Sequence, residues 1–400
     1  MAIQLAQGKI RTLKEVEVGG KTVFLRADLN VPIQDGRVTD DTRIRGMLPT
    51  LKYLVDKKAR VVMASHLGRP KGKPDPKYSL VPVAEALARL ISGEVIVPDN
   101  CIGDGVRGIL ATQKSEDVVL LENLRFHAEE EKNDPKFAAE LRHQRQVYVT
   151  DAFGSLHRAH ASTDALPRLF DQRAAGFLVE KELQFLAPLV SSPQRPFAVV
   201  LGGAKVSDKI KVVENLLRYV DRILLGGAMV FTFLKATGHG IGKSLVENGQ
   251  LDRAKRILEQ AKTRNVQVLL PKDFVVGNSI ENPGEPKTIQ GQEIPDDATG
   301  LDVGPETVRL YGQALQDAKT IFWNGPLGLF EKPPFDAGTN GLARILGEFS
   351  SIRVVGGGDS AAAVARVGMA DRMTHVSTGG GATLEYLEGN GLPGLTALAV

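Results

Sequence analysis

Short runs of β-branched and apolar residues alternate along the chain with segments whose apolar residues recur about every 3.6 positions. In the first half the strand-like runs are TVFLRA (22–27), RVVMAS (60–65), EVIVPD (94–99), DVVLLEN (117–123) and QVYVTD (146–151). One of the helical faces between them comprises Ile44, Leu48, Leu51 and Val55. Strands that alternate with helices in this way predict βαβ units and a parallel sheet.

A second alternation follows a connecting segment. Its strand-like runs are FAVVLGG (197–203), RILLGG (222–227), VQVLLP (266–271), TIFWNG (320–325), IRVVGGG (352–358) and THVSTGGG (374–381). The chain has 400 residues, and single cores stop growing near about 250–300 residues. We therefore predict an α/β protein with two doubly wound, Rossmann-like parallel-sheet domains, joined by a hinge helix. The domains are residues 1–170 and 193–385, and the connector is residues 171–192.

Composition and charge exclude several classes of protein to which the chain could belong. Fifty Lys and Arg face 47 Asp and Glu, for a net charge of +3, and no basic tract indicates a nucleic-acid partner. The single cysteine, Cys101, cannot form a disulfide framework and favours a reducing compartment. The N-terminus lacks the apolar stretch of a secretory signal, and the longest apolar run, 223–234, is too short to span a bilayer. We expect a cytoplasmic protein without a membrane partner.

Basic and amide side chains follow the strands of the first half. They include Arg26, Asp28, Asn30, His66, Arg69, Arg125 and Arg158, and Arg43 lies in the first turn of the next helix. Arginines gathered at one edge of a sheet repel each other unless an anion bridges them, and the guanidinium fork suits carboxylates and phosphates. The pattern predicts a small polyanionic substrate. The acidic run 129–131 is interpreted as the solvated start of a helix.

Glycine follows the strands of the second half, at 202–203, 226–227, 356–358 and 379–381. Glycine lets backbone N–H groups approach phosphate, and a helix N-terminus adds partial positive charge. Lys205 and Lys209 are four residues apart and are predicted to share a helix face. These features indicate a nucleotide di- or triphosphate. Asp359 fits a helix N-cap and a magnesium ligand equally well.

Three alternatives compete with this interpretation. Residues 356–361 match the dinucleotide fingerprint of a dehydrogenase, but no acidic residue follows the next strand near Ser377. Residues 238–244 resemble a Walker A loop, but Thr237 stands where a glycine is required and no strand precedes it. A non-enzymatic basic-patch protein would place its basic residues along an exposed face with interleaved aromatics, whereas here they follow strands.

The motifs taken together resemble the phosphoglycerate kinase family, in order and spacing, from Gly8 to about residue 394. They are RADLNVP, SHLGRPKGKP, ENLRFHAEEE, DAFGSLHRAH, LGGAKVSDKI, WNGPLG, GGGDS and STGGGAT. The resemblance implies reversible phosphoryl transfer between 1,3-bisphosphoglycerate and ADP, with ATP/ADP and Mg²⁺ as cofactors and 3-phosphoglycerate as the other product. It also implies a monomer whose C-terminal segment, residues 386–400, returns toward the N-terminal domain.

Residue roles follow from the same resemblance. The 3-phosphoglycerate site would comprise Arg26, Asp28, Asn30, Arg43, His66, Arg69, Arg125 and Arg158. The nucleotide site would comprise Lys205, Lys209, Gly300, Asn324, Glu331, Gly357, Gly358, Asp359 and Ser360, with Asp359 on magnesium. Catalysis is assigned to Arg43, Lys205, Gly358 and Gly381. Two departures stand out: Ser360 replaces the threonine of many members, and the run 168–173 is unusually bulky and charged.

Overall fold

The computed structural model describes residues 3–5 and 8–400. It divides into two compact units. One comprises the described residues up to Gln184 together with Gly391–Val400, and the other comprises Phe185–Asn390.

The first unit is built on a six-stranded sheet with helices between successive strands. Two short strand pairs, β1 with β2 and β4 with β5, lie outside that sheet. The strands of the unit are β1 (Ile3–Leu5), β2 (Gly8–Ile10), β3 (Thr22–Ala27), β4 (Ile33–Gln34), β5 (Arg37–Val38), β6 (Arg60–Ala64), β7 (Val95–Ile96), β8 (Val118–Leu120), β9 (Val147–Asp151) and β10 (Gln172–Ala175). Its helices are α1 (Thr42–Asp56), α2 (Val81–Ala88), α3 (Asp104–Thr112), α4 (Ala128–Glu131), α5 (Pro135–Arg142) and the first part of α6 (Phe177–Leu186).

The order of the main sheet is β10-β9-β3-β6-β8-β7, and every neighbouring pair is parallel. The central strand β3 is buried along almost its full length, as its continuous apolar run requires of a strand covered on both faces. Helix α1 buries Ile44, Leu48 and Leu51 against this sheet. The predicted parallel sheet of this half is confirmed.

The second unit contains a second six-stranded sheet and a smaller one. Its strands are β11 (Phe197–Leu201), β12 (Arg222–Leu225), β13 (Gln267–Leu269), β14 (Asp273–Gly277), β15 (Lys287–Gln290), β16 (Thr299–Val303), β17 (Thr320–Asn324), β18 (Ile352–Gly356) and β19 (His375–Val376). Its helices are α7 (Ile210–Leu216), α8 (Val230–Ala236), α9 (Leu251–Thr263), α10 (Pro305–Leu315), α11 (Ala337–Glu348), α12 (Gly358–Arg366) and α13 (Gly381–Leu387).

The large sheet has the order β13-β12-β11-β17-β18-β19 and is parallel throughout. The chain builds outward from β11 through β12 to β13, then crosses to β17 on the other side. This is the doubly wound order, and its ligand crevice lies where the winding reverses, between β11 and β17. The small sheet, β15-β14-β16, is antiparallel, and the sequence analysis did not predict it.

The connector differs from its predicted bounds. Residues 172–175 form β10 and pair with β9, so the helix itself begins only at Phe177. The Asp151 carboxylate accepts hydrogen bonds from the Leu178 and Val179 amides, at 2.8 and 3.2 Å, and so caps the first turn. The division between the two units falls within this helix.

The last helix, α14 (Pro393–Leu398), belongs to the first unit. Leu395 and Leu398 are buried there, and Arg173 donates a 2.6 Å hydrogen bond to the Ala399 carbonyl. The Val400 amide also donates to the Lys9 carbonyl, at 3.0 Å. Across residues 3–5 and 8–400, no helix is long and apolar enough to cross a membrane.

Candidate active site

The basic side chains of the first unit follow strands that all run in one direction. Arg26 is the penultimate residue of β3, His66 follows β6, Arg125 follows β8, and Arg158 follows β9. Because parallel strands end at the same edge of their sheet, these residues gather there. Arg69 lies on the surface just beyond His66. The predicted clustering of the arginines therefore has a direct cause in the strand order.

Arg43 and Asp28 form an ion pair at this edge. Arg43 Nη1 lies 2.8 Å from both carboxylate oxygens of Asp28, and the Arg43 side chain is 39% exposed. The Asp28 Oδ1 atom also accepts from the Asn30 amide, at 3.2 Å. Asn30 in turn accepts a 2.9 Å hydrogen bond from the Gly68 amide. Three predicted residues are thus linked, and one cation stays accessible.

Arg125 is held from two sides. Its Nη1 donates to the Gly68 carbonyl at 2.7 Å, and its Nε lies 3.3 Å from Glu131 Oε1. The side chain is 5% exposed, and burial together with Arg158 lowers the pKa of Arg125 to about 10. Arg125 is therefore still charged at neutral pH and adds a fixed cation to the edge.

The neighbouring histidines are uncharged at neutral pH. Burial lowers the pKa of His66 well below its ordinary value, and four arginines lower it further. Burial and Arg125 lower the pKa of His160 to about 4, and burial and Arg158 lower that of His157. The positive charge of this edge at neutral pH therefore comes from arginine.

In the second unit two glycine junctions pack against the loop that follows β17. Gly203 has φ +111° and Gly227 has φ +66°, a region that disfavours other residues. The Gly203 amide donates to the Pro326 carbonyl at 2.9 Å, and the Gly227 amide donates to Leu327 at 2.8 Å. A Cβ on Gly202 would lie 2.0 Å from the Pro326 oxygen. Glycine is therefore required for this close approach of three backbones.

A cavity of about 240 Å³ opens beside these junctions. Its polar lining includes Asp302, Glu331 and Asp359, and its apolar wall includes Phe231, Phe274, Leu245 and Ile280. Gly300 also lines it, and a Cβ there would lie 2.1 Å from the Phe231 ring. An apolar pocket with a few convergent carboxylates is typical of a small-molecule site.

Asn324 and Ser360 connect the ends of neighbouring strands rather than line this cavity. Both are buried. Asn324 Nδ2 donates to the Gly356 carbonyl at 2.8 Å, and the Gly325 amide donates to Ser360 Oγ at 2.6 Å.

Gly357, with φ +90°, is the N-cap of α12, so the interpretation of Asp359 as the N-cap is wrong. Asp359 lies two residues later, in the first turn of α12 and on the surface.

The expectation that Lys205 and Lys209 share a helix face is also wrong. Helix α7 begins at Ile210, with Lys209 as its N-cap, and Lys205 lies in the preceding loop. The loop is held away from a helical path because Ser207 donates through both its amide and its hydroxyl to Glu247, at 2.9 and 2.6 Å. Lys205 is exposed, whereas burial lowers the pKa of Lys209 to about 8.

The helices α12 and α13 each begin with an exposed glycine. Gly358 is the first residue of α12, and Gly381 is the first residue of α13, and both are exposed. In the described part of the chain, no group of three or more His, Cys, Asp or Glu could hold a metal ion by itself. A single carboxylate such as Asp359 suits a magnesium ion that takes its other ligands from phosphate and water.

Asp302 is a cavity residue that the sequence analysis missed. Its carboxylate accepts from the Gly338 amide at 2.7 Å and from its neighbour Val303 at 2.8 Å. Burial raises the pKa of Asp302 to about 8. The sequence pattern did not indicate Asp302 as a site residue, because it lies within a strand of the small antiparallel sheet that was not predicted.

The Walker-like run supports the cavity without forming a phosphate loop. The Gly300 amide donates to Ser244 Oγ at 2.9 Å, and the Lys243 amide donates to the Ala298 carbonyl at 2.8 Å. Gly242 leaves no room for a Cβ, which would lie 2.2 Å from the Pro295 oxygen. The run therefore packs against the segment before β16, and its backbone amides are used within the protein.

Comparison with known proteins gives consistent results. The family model described as phosphoglycerate kinase matches residues 13–390. A phosphoglycerate kinase of Anaeromyxobacter sp. (strain K) is 53% identical over 391 residues, covering 97% of this chain and 99% of the relative. Phosphoglycerate kinase 3, cytosolic, of Arabidopsis thaliana is 50% identical over 393 residues, covering 97% and 98%.

Solved structures agree. Phosphoglycerate kinase from Coxiella burnetii has a TM-score of 0.88 and 38% identity, covering 98% of this chain and 99% of its own. The enzyme from Pyrococcus horikoshii OT3 has a TM-score of 0.83 and 34% identity, covering 97% and 98%. These findings give no support to a dehydrogenase or a basic-patch protein. The fingerprint at 356–361 also follows β18, which is the fifth strand of the large sheet in chain order. Dinucleotide-binding domains place this fingerprint after the first strand of their sheet.

The depressed pKa of Lys209 generates a prediction about proton uptake. At about pH 9 most Lys209 side chains are neutral in the free chain, because the pKa is about 8. A phosphate beside Lys209 favours the charged form, so binding of MgADP should take up about one proton per chain. The phosphates of ADP are already ionised at that pH. Calorimetry in two buffers of different ionisation enthalpy measures the uptake.

Lys209→Met should abolish this uptake, and Lys211→Met, which changes an exposed lysine two residues later, should leave it intact. The pH dependence of the stability of the unliganded chain tests the lowered pKa of Lys209 in a second way. The unfolded chain binds the Lys209 proton more tightly, so the free energy of unfolding should rise as the pH increases from about 8 to 10.5. Binding of MgADP to the wild-type chain without buffer-dependent heat would contradict the assignment.

Proposed function

Because the chain belongs to the phosphoglycerate kinase family, we propose that it transfers a phosphoryl group reversibly from 1,3-bisphosphoglycerate to ADP, with 3-phosphoglycerate and ATP as products. The observation that carries the proposal is the division of labour between the sheets. Arginines follow the strands of the first unit, and glycines follow those of the second. A small acid phosphate suits the first site and a nucleotide suits the second.

The reaction needs no general base. An oxygen of the ADP β-phosphate attacks the phosphorus of the acyl phosphate, and a new P–O bond forms. The bond between phosphorus and the carboxyl oxygen breaks, and its electron pair leaves with the carboxylate. In reverse the attacking carboxylate has a pKa of about 4, so it is already ionised at neutral pH. This chemistry is consistent with neutral histidines at the arginine edge.

We assign 3-phosphoglycerate to the arginine edge of the first unit. Arg69 and Arg158 would bind its phosphate, and Arg43, already positioned by Asp28, would face the carboxyl end. The other binding residues of the proposal are Arg26, Asp28, Asn30, His66 and Arg125. Bidentate guanidinium contacts favour a carboxylate or phosphate over neutral ligands, which supports an anionic triose acid as the substrate.

We assign the nucleotide to the glycine junctions of the second unit. Its base would enter the cavity beside Gly300, its ribose would meet Glu331, and its phosphates would face the exposed start of α12. Lys205, Lys209, Asn324 and the segment 357–360 complete the site. Asp359 would hold magnesium together with phosphate oxygens, and the ion would supply neutralisation of phosphate charge. Lys205 and the amides of Gly358 and Gly381 would stabilise the negative charge of the phosphoryl group during its transfer.

The assignment of one ligand to each unit requires movement. Phosphoryl transfer needs reacting atoms about 3–3.5 Å apart, and water must be excluded so that the acyl phosphate is not hydrolysed. We therefore propose hinge bending about the connector that contains α6, completed only when both ligands are bound. We also propose that the chain acts as a monomer. A cytoplasmic location is proposed because one relative is named as cytosolic.

Lys205→Ala tests the catalytic assignment in an assay that couples the product of MgATP and 3-phosphoglycerate to a dehydrogenase. We expect kcat to fall by about 10²–10³, since loss of one charge-assisted contact to a developing charge costs roughly 2–4 kcal/mol. Both KM values should change little. Lys211→Ala is the matched control and should retain wild-type kcat. If the Lys205 variant kept its kcat and lost only ATP affinity, Lys205 would be a ground-state ligand.

Small-angle scattering tests the hinge. The complex with both MgADP and 3-phosphoglycerate cannot react, so it accumulates the closed form. We expect its radius of gyration to be smaller than that of the unliganded chain and of either binary complex, because one ligand alone does not complete the charge pattern that favours closure. Equal radii in all four states would contradict the hinge proposal without affecting the assignment of the reaction.

A further inference from the structure

Glu130 is a fully buried carboxylate in the middle of an acidic run that was expected to be solvated. Its neighbours Glu129 and Glu131 are exposed, whereas Glu130 is 0% exposed on α4. Burial of a carboxylate is unfavourable unless it is hydrogen-bonded and offset by a positive charge. The partners of Glu130 therefore indicate why the residue lies there.

Ser162 provides both hydrogen bonds to this carboxylate. The Ser162 amide donates to Glu130 Oε2 at 2.9 Å, and the hydroxyl donates to Oε1 at 2.6 Å. A serine hydroxyl has one proton. Since that proton is used on Glu130, the oxygen can only accept from any further partner.

That further partner is Arg26. Arg26 Nε donates to Ser162 Oγ at 2.8 Å, and the Arg26 side chain is 1% exposed. The hydroxyl thus bridges a buried carboxylate and a buried guanidinium. Burial raises the pKa of Glu130, and Arg26 is the strongest influence that lowers it. The negative charge of the buried Glu130 therefore offsets the positive charge of Arg26.

Arg26 also contacts His66. Its Nη2 lies 3.1 Å from His66 Nδ1, and a guanidinium has donors but no acceptor. The Nδ1 atom must therefore accept, and the single proton of the neutral ring must lie on Nε2. The other charged groups that act on this ring are Arg125, Arg158 and Arg43, and all of them oppose a second proton.

We infer that Glu130 is a positioning residue for the substrate site. Through Ser162 it fixes Arg26, and through Arg26 it keeps His66 as a neutral Nε2–H hydrogen-bond donor. Without the fixed guanidinium, His66 could place its proton on either nitrogen, and one of the two forms would turn a lone pair toward an anion. The inference rests on the proposed function only for the identity of that anion, 3-phosphoglycerate.

The tautomer of His66 in the wild-type chain is the first test and needs no activity. Nitrogen NMR of the chain labelled with ¹⁵N-histidine distinguishes a protonated from an unprotonated ring nitrogen. The chain has seven histidines, and the spectrum of His66→Gln assigns the signals of His66. We expect the Nε2–H form at neutral pH. A ring protonated on Nδ1, or on both nitrogens, would overturn the inference.

Glu130→Gln and Ser162→Ala test the relay itself. We expect a mixture of His66 tautomers and a rise of about tenfold in KM for 3-phosphoglycerate, since hydrogen bonds to charged groups are the stronger ones. KM for MgATP should stay within about twofold, because the nucleotide is assigned to the other unit. A purely structural role would lower thermal stability and leave the His66 spectrum unchanged, and that result would overturn the inference.

The first unit contains a matched control. Glu122 is also a buried glutamate, and it accepts from Ser79 Oγ and from the Leu80 amide, each at 2.7 Å. Ser79→Ala removes an equivalent hydroxyl and should leave the His66 tautomer and KM for 3-phosphoglycerate unchanged. A wild-type chain that shows the Nε2–H form but no turnover of 3-phosphoglycerate would contradict the proposed function and would still support the relay.

Discussion

Parallel strands that run side by side end at the same edge of their sheet, and both units of this chain depend on that constraint. In the first unit it brings Arg26, His66, Arg125 and Arg158 to one edge, although they are up to 132 positions apart in sequence. In the second it places the glycine junctions after β11 and β12 against the loop after β17. Antiparallel pairing would send alternate strand ends to opposite edges and scatter both clusters.

The two edges handle charge differently. The first collects arginines, whose mutual repulsion is offset by Asp28, Glu131 and the buried Glu130, and its histidines stay neutral. The second places the exposed glycines Gly358 and Gly381 at the start of α12 and α13, and Lys205 is exposed in the loop before α7. Fixed side chains select a small anion by shape, and helix N-termini accept the extended phosphate chain of a nucleotide.

Much of this arrangement was predictable from sequence, because β-branched runs and 3.6-residue periods report burial directly. The strands β3, β9, β11 and β17 and the helix α1 follow from that pattern. The antiparallel sheet of β14–β16 was missed because β15 is exposed and polar, with no apolar run to reveal it. Lys205 was assigned to a helix because spacing alone cannot detect the competing bonds between Ser207 and Glu247. Glu130 was missed because two exposed glutamates flank it, and only packing distinguishes it from them.

Hydrogen exchange of backbone amides, followed by mass spectrometry with each ligand alone, tests the central claim that each sheet edge binds one ligand. The account predicts that 3-phosphoglycerate slows exchange in segments 26–30, 66–69, 123–127 and 154–160 and leaves the second unit unchanged. MgADP should slow exchange in 202–209, 226–229, 324–331 and 356–361 and leave the first unit unchanged. Protection of both sets by a single ligand, or protection of the opposite set, would contradict the account.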